Sequence, residues 1–176
     1  MRARCGTGLV RRLAVGALSG VAGTAAMDLL LYRRYRREGG QDPVWRWESA
    51  EGVTGWDTAS APGQVGAKVE RLVTRRRPPD RWARSTTNAV HWATGAMWGA
   101  QYAVVAGLPS RHPLLRGLAL GPAAWSAGYV VLPLAGVYRP IWTYDRPTLQ
   151  RDLSAHVLYG TTTATAFALL NRAAGA

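Results

Sequence analysis

The chain has 176 residues and a formal net charge of +12, from 22 Lys and Arg residues against 10 Asp and Glu residues. A chain of this length is expected to form one domain with a real core, and its single cysteine, Cys5, excludes a disulfide framework and a cysteine-based metal site. Such a basic balance predicts a polyanionic partner, either nucleic acid or an anionic membrane surface.

The positions of the arginines favour one of these two partners. They form bands at 2–12, 33–46, 71–84 and 139–151, and the stretches between the bands are poor in charge and of helix length. A soluble nucleic-acid-binding protein is expected to show a continuous basic face, whereas a chain that crosses a bilayer needs charge-poor segments. The banding therefore predicts a membrane protein whose partner is lipid and not nucleic acid.

The first apolar segment follows a basic tail at residues 1–12. Residues 13–32, as a helix, are long enough to cross a hydrocarbon core. A cleaved secretory signal begins in a similar way, but the basic run at 33–37 that closes the segment is typical of a retained helix. Small residues and then a carboxylate recur at steps of four, on a face expected to pack against a neighbouring helix: Gly16, Gly20, Thr24 and Asp28.

A long polar connection at 33–86 separates the first segment from the others. Its excess of arginine predicts a cytoplasmic location by the positive-inside rule. Ser60 followed by Pro62 predicts the start of a helix over 61–76. One face of this helix is apolar and the other basic, so we expect it to lie on an anionic leaflet or to pack on the protein's own loops. The two faces are Val65, Val69, Leu72 and Val73, and Lys68, Arg71, Arg75 and Arg76.

Three further membrane spans are predicted at 87–108, 114–137 and 152–170, followed by a tail at 171–176. Pro122 and Pro133 are expected to kink or end the third span. Glycines in all four spans are predicted to mediate helix packing: Gly16, Gly20, Gly95, Gly99, Gly117, Gly121 and Gly160. The expected fold is an all-α, integral membrane four-helix bundle over 13–170, with a long cytoplasmic loop that carries a short amphipathic helix.

Several short motifs in this arrangement resemble a known group of proteins. The motifs lie at 56–57, 61–66, 91–95, 128–133, 140–145 and 153–160. They are similar to a family of uncharacterised integral membrane proteins of actinobacteria, over most of residues 15–170. The resemblance implies a four-helix protein of the bacterial inner membrane, and it implies no activity.

Three ionisable residues are predicted to lie at one depth in the bundle. Asp28, His91 and His156 each lie four or five residues from the arginine-rich end of their helix, a rise of about 6–8 Å. Ionisable groups below the membrane interface are costly and usually pair or serve a function. The predicted cluster also includes the nearby polar side chains of Asn88, Asp152 and Tyr159.

The sequence leaves four roles open for this cluster. It would act as a hydrogen-bonded structural lock or as part of a proton or ion pathway. It would alternatively hold a divalent metal through Asp28, His91 and His156, or a haem between the two histidines. No cofactor is required by the sequence, although haem and a divalent metal both remain compatible with it.

The chain lacks the short motifs of common enzymes, such as a Gly-rich phosphate loop, a nucleophile elbow or a His-Glu-x-x-His pair. We therefore expect a non-enzymatic, structural or accessory multi-pass component of the cytoplasmic (inner) membrane. The alternative function is a small transporter or channel, or a metal or haem carrier, built on the polar cluster. The expected partners are the bilayer with its anionic leaflet and either another membrane protein or a second copy of the chain.

Overall fold

The computed structural model describes residues 2–107 and 113–173. Within these ranges every regular element is helical and no strand occurs, which confirms the all-α prediction. The α-helices in chain order are α1 (Arg2–Arg37), α2 (Val44–Glu48), α3 (Ala61–Thr74), α4 (Ala83–Ala106), α5 (Pro113–Leu134) and α6 (Arg146–Ala173). Two 3-10 helices, Asp80–Trp82 and Ile141–Thr143, precede α4 and α6.

Helix α1 is much longer than the predicted span at 13–32. Hydropathy marks the stretch suited to lipid, but arginine is a good helix former and does not interrupt the backbone. The helix ends only before Gly39, whose φ is 94°, and the N–H groups of Gly39 and Gly40 bond back to carbonyls of the last turn. The described residues of the predicted basic tail at 1–12 therefore belong to α1.

Helix α5 ends earlier than residue 137, where the sequence placed its end. It runs through Pro122 and ends just after Pro133. Gly136 has a φ of 63°, and the N–H of Val137 reaches back to the carbonyl of Leu132 at 2.8 Å. This is a Schellman-type end, which favours glycine because a β-carbon is strained at positive φ.

Helices α4 and α6 also extend beyond their predicted spans. Helix α4 begins before residue 87, and Leu108, at the predicted end of that span, lies outside the described residues. Helix α6 begins before residue 152, with Pro147 in its first turn, where the missing N–H needs no helical partner. Its last turns occupy the beginning of the predicted tail at 171–176.

Contacts between Cα atoms divide the chain into two compact units. The first contains the described residues of Met1–Leu29, Thr94–Ser126 and Arg146–Ala176, and the second contains Leu30–Ala93 and Ala127–Asp145. We describe each unit by itself, and the single transmembrane domain over 13–170 stays a prediction.

The first unit is formed where parts of α1, α4, α5 and α6 pack together. Its buried apolar cluster takes side chains from all four helices: Val15, Tyr102, Ala103, Leu120, Tyr159 and Phe167. Within it, the rings of Tyr102 and Phe167 meet edge to face with centroids 5.6 Å apart, an arrangement that adds to the gain from burial.

The second unit has a small core around Trp56. The indole ring packs with Ala59 and Ala83, and its Nε1–H donates to the carbonyl oxygen of Pro78 at 2.9 Å. This bond satisfies the polar end of a buried tryptophan. It also joins the loop before α3 to the segment that follows α3.

Helix α3 begins where the sequence predicts it. Ser60 precedes the helix with an extended backbone, and Pro62 lies in the first turn. The helix ends at Thr74, two residues before the predicted end, because Arg75 adopts a left-handed conformation with a φ of 56°.

Candidate functional site

Helices α1 and α4 approach each other through the four glycines that the sequence placed at helix contacts. Gly16 and Gly20 of α1 lie against Gly99 and Gly95 of α4. A β-carbon on Gly99 would come within 2.6 Å of the backbone N and Cα of Gly20. Because this is a contact with backbone, no side-chain rotation would relieve it.

Helices α5 and α6 meet in the same way through Gly117, Gly121 and Gly160. A β-carbon on Gly121 would lie 2.6 Å from the carbonyl carbon of His156 and 2.9 Å from the Cα of Val157. Gly160 faces the backbone of Gly117 and Gly121 in return. All seven predicted glycines thus lie where two helices are in close contact, as small residues allow in membrane helices.

One further contact of this kind was missed from the sequence. Gly23 of α1 lies against α6, where a β-carbon would be 2.7 Å from the carbonyl oxygen of Tyr159 and 2.9 Å from its ring. A search at steps of four finds residues 16, 20 and 24, but helix neighbours also lie at steps of three. The step from Gly20 to Gly23 was the available signal.

The interior of the first unit contains small polar side chains. The largest fully buried side chains among the described residues are Ser19, Thr24 and Thr163. The hydroxyl of Ser19 donates to the carbonyl of Val15 at 2.7 Å, and that of Thr24 to the carbonyl of Gly20 at 3.0 Å. Back-bonding of this kind satisfies hydroxyls without water.

Large apolar side chains lie on the outside of the four long helices. They are exposed on α1 (Leu18, Val21, Leu29), α4 (Met97, Val104, Val105), α5 (Leu115, Leu118, Val130, Val131, Leu134) and α6 (Leu169, Leu170). So many large apolar side chains on the outside are unusual for a water-soluble protein.

Three members of the predicted polar cluster contribute to the first unit through α6. His156 Nδ1 lies 3.3 Å from a carboxylate oxygen of Asp152 and 3.0 Å from its carbonyl oxygen. The pair joins successive turns of one helix. Tyr159 is buried, and its hydroxyl donates to the carbonyl of Gly95 on α4 at 2.7 Å. Tyr159 therefore ties two helices together, as a structural lock requires.

Asp28 and His91 lie in different units. Asp28 is 5% exposed on α1 in the first unit. His91 is half-buried in the second unit, with its ring edge-on to Trp92 at a centroid distance of 6.0 Å. The convergence of Asp28, His91 and His156 therefore stays a prediction.

Asn88 has a structural partner instead of a histidine. Its side-chain amide donates to the carbonyl oxygen of Ser49 at 2.9 Å, and Arg84 donates to the same residue. The two side chains from α4 thereby hold the end of α2. Ser49 is 35 residues or more away along the chain, so no local pattern predicts this contact.

The hypothesised metal site is not assembled in the part of the chain that the structure describes. In that part, no group of three or more His, Cys, Asp and Glu side chains is placed to hold a metal ion. The ligand set of Asp28, His91 and His156 stays a prediction, and His156 has Asp152 beside one of its ring nitrogens.

Helix α3 packs within the second unit through its glycines, Gly63 and Gly66. Gly63 lies against Ala59 and Thr87, and Gly66 lies against Thr86 and Val90. The second half of the helix is open, with Val69 55%, Leu72 80% and Val73 78% exposed, whereas Val65 is half-buried. The protein's own loops therefore do not cover Val69, Leu72 and Val73.

Exposed tryptophans with arginine over the ring are a second surface feature of this unit. The guanidinium of Arg46 lies 5.4 Å from the ring centroid of Trp45, and that of Arg81 lies 6.0 Å from Trp82. Trp142 is 82% exposed. Tryptophan and arginine in this setting are typical of the headgroup layer of a membrane.

Comparison with known proteins adds no assignment. No protein-family model matches the chain, and neither curated proteins nor solved structures give a match. The resemblance to the actinobacterial membrane family rests on the sequence motifs alone.

Proposed function

We propose that this protein is a multi-pass integral protein of the cytoplasmic membrane, with a structural or accessory role. In this proposal α1, α4, α5 and α6 form a four-helix bundle in the lipid, as in the actinobacterial family that the motifs resemble. Two helices, α1 over Gly8–Arg37 and α5 over Leu115–Leu134, are long and apolar enough to cross a membrane. Within the protein, only 33% of the most apolar stretch of α1 and 28% of that of α5 is buried.

The observation that carries the proposal is the exposure of large apolar side chains on all four long helices. In water, exposed leucine and valine would forgo about 25 cal/mol for each Å² of apolar surface left unburied. In a bilayer the same side chains are surrounded by apolar lipid tails. Helices there associate through close packing of small residues and through interhelical hydrogen bonds. The glycine contacts and the buried hydroxyls of the first unit match this second case.

Helices α4 and α6 are less hydrophobic than α1 and α5. In α6, threonine accounts for part of this difference. The hydroxyl of Thr161 donates to the carbonyl of Val157 at 2.9 Å, and that of Thr165 to the carbonyl of Thr161 at 2.8 Å. A hydroxyl bonded to its own helix is less costly in lipid than its hydropathy value implies. The exposed apolar residues of both helices support the same proposal.

The first test is extraction of membranes from cells that express the full chain. Alkaline carbonate and high salt should leave the 19.0 kDa protein in the membrane pellet, at its unprocessed mass. Release by either treatment would contradict an integral protein. A pelleted but shortened chain would contradict retention of the first helix.

The second test asks whether all four helices enter the lipid. In a Cys5→Ser background, single cysteines at Leu118, Val104 and Leu169 should resist a water-soluble maleimide until detergent is added. The matched control, Thr58→Cys in an exposed turn, should react at once. Labelling of position 104 or 169 at the control rate would contradict insertion of α4 or α6, and only α1 and α5 would remain as membrane spans.

A further inference from the structure

We infer that α3 docks on an anionic phospholipid leaflet, with its open apolar side in the lipid and its cations on the headgroup phosphates. The inference rests on the proposed function, because it needs the chain to reside in a membrane. It adds a recognition function, in which a helix of the second unit responds to the charge of the surrounding lipid.

The first support is that α3 has two sides with different neighbours. Its inner side is already occupied, since a β-carbon on Gly63 would lie 2.9 Å from that of Ala59, and one on Gly66 would lie 3.1 Å from Val90 Cγ2. This contact leaves Val69, Leu72 and Val73 exposed. Val69 and Leu72 project from the other side, separated by less than a fifth of a turn in projection.

The second support is the charge around this apolar side. Lys68 and Arg71 lie along one edge of it, and Arg75 and Arg76 follow its last turn. All four side chains are exposed, and no carboxylate of the described residues forms a salt bridge with any of them. Long basic side chains can reach phosphate while their stems cover apolar surface. The arrangement complements an anionic leaflet in both apolarity and charge.

The third support concerns the size of the surface. The apolar side of α3 is built from two turns of one helix of 14 residues, which is small for a stable protein interface of about 1,600 Å². A bilayer imposes no such threshold, because aliphatic insertion and each nearby cation contribute separately. Exposed Trp82 and Trp142 of the same unit add side chains that favour the headgroup layer.

The inference is tested by spin labelling of the full chain in lipid nanodiscs that hold one copy each. A nitroxide is attached at Leu72→Cys in the Cys5→Ser background, and its collision rates with oxygen and with a water-soluble nickel complex report its depth. In discs containing phosphatidylglycerol the label should lie in lipid, and in pure phosphatidylcholine it should shift toward water. A label at Asp57→Cys, in an exposed loop, should stay in water in both lipids.

Charge removal then tests the mechanism. The triple variant R71Q/R75Q/R76Q should lower the ratio of docked to undocked label by roughly fivefold for each cation removed. High salt should lower the same ratio. Circular dichroism of the triple variant should equal that of the parent, which shows that the helix persists.

The outcomes separate this inference from the proposed function. A label at position 72 that stays in water in both lipids, on a protein that resists carbonate extraction, would overturn docking and leave the integral protein in place. A label shielded equally from oxygen and from the nickel complex in both lipids would overturn recognition of lipid charge and indicate a contact with the protein itself. Loss of the chain from membranes would overturn the proposed function itself.

Discussion

The two compact units differ in what fills the space between their backbones. In the first, α1 meets α4 through Gly16, Gly20, Gly95 and Gly99, and the largest fully buried side chains are those of serine and threonine. In the second, the large ring of Trp56 fills the space between Ala59 and Ala83.

This difference reflects two sources of stability. Filling a core with an indole removes a large apolar surface from water, and its gain comes from the hydrophobic effect. Contacts between glycines gain little from the hydrophobic effect, and their gain comes from close packing of backbones, as in membrane helices. The comparison therefore predicts that mutations in the two units should reduce stability for different reasons.

The largest effect is expected from Trp56→Ala. Removing a buried ring and its bond to Pro78 should cost about 3–5 kcal/mol. Hydrogen exchange in detergent should show lost protection of the α3 and early α4 amides, with α6 still protected. Equal loss of protection in α6 would contradict a separate core in the second unit.

A smaller loss, about 1–3 kcal/mol, is expected from Gly121→Ala. The new methyl group would press on the backbone of α6 at His156 and Val157. The matched control on the same helix is Gly128→Ala, where the nearest atom to a β-carbon is Leu132 Cδ1 at 4.0 Å. Unfolding in detergent measures both variants. The argument for glycine packing fails if the two are equally stable.

The hydrogen bond between α6 and α4 should contribute less again. Tyr159→Phe removes only the hydroxyl that donates to Gly95, and the expected loss is about 0.5–1.5 kcal/mol. Detergent unfolding should resolve this loss by a shift in midpoint. A wild-type midpoint would show that the bond adds nothing and that ring packing alone holds the contact.

The smallest effect is expected at the outer surface of α5. Leu118→Ala, at a side chain 49% exposed, should change stability by no more than about 0.5 kcal/mol. Leu120→Ala, two residues on at 8% exposure, should cost about 2–5 kcal/mol. A large loss at Leu118 would mean that another protein surface covers it.

The local features of the fold were largely predictable from the sequence. Ser60 and Pro62 predicted the start of α3, and glycines at steps of four predicted the faces through which the long helices touch. The ends of helices were harder to place. Hydropathy does not show that α1 continues through its arginines or that α5 stops before Gly136, because backbone conformation and not polarity ends a helix.

The sequence by itself determined where the helices lie, which residues are small, and how charge is banded, since periodicity and composition act within a single element. Only the tertiary structure decided the partners of the polar groups. It paired His156 with Asp152 and Asn88 with Ser49, and it turned the glycines of α3 toward the protein with Val69 and Leu72 outward. Equal depth along separate helices leaves the rotation of each helix open, and rotation decides which side chains meet.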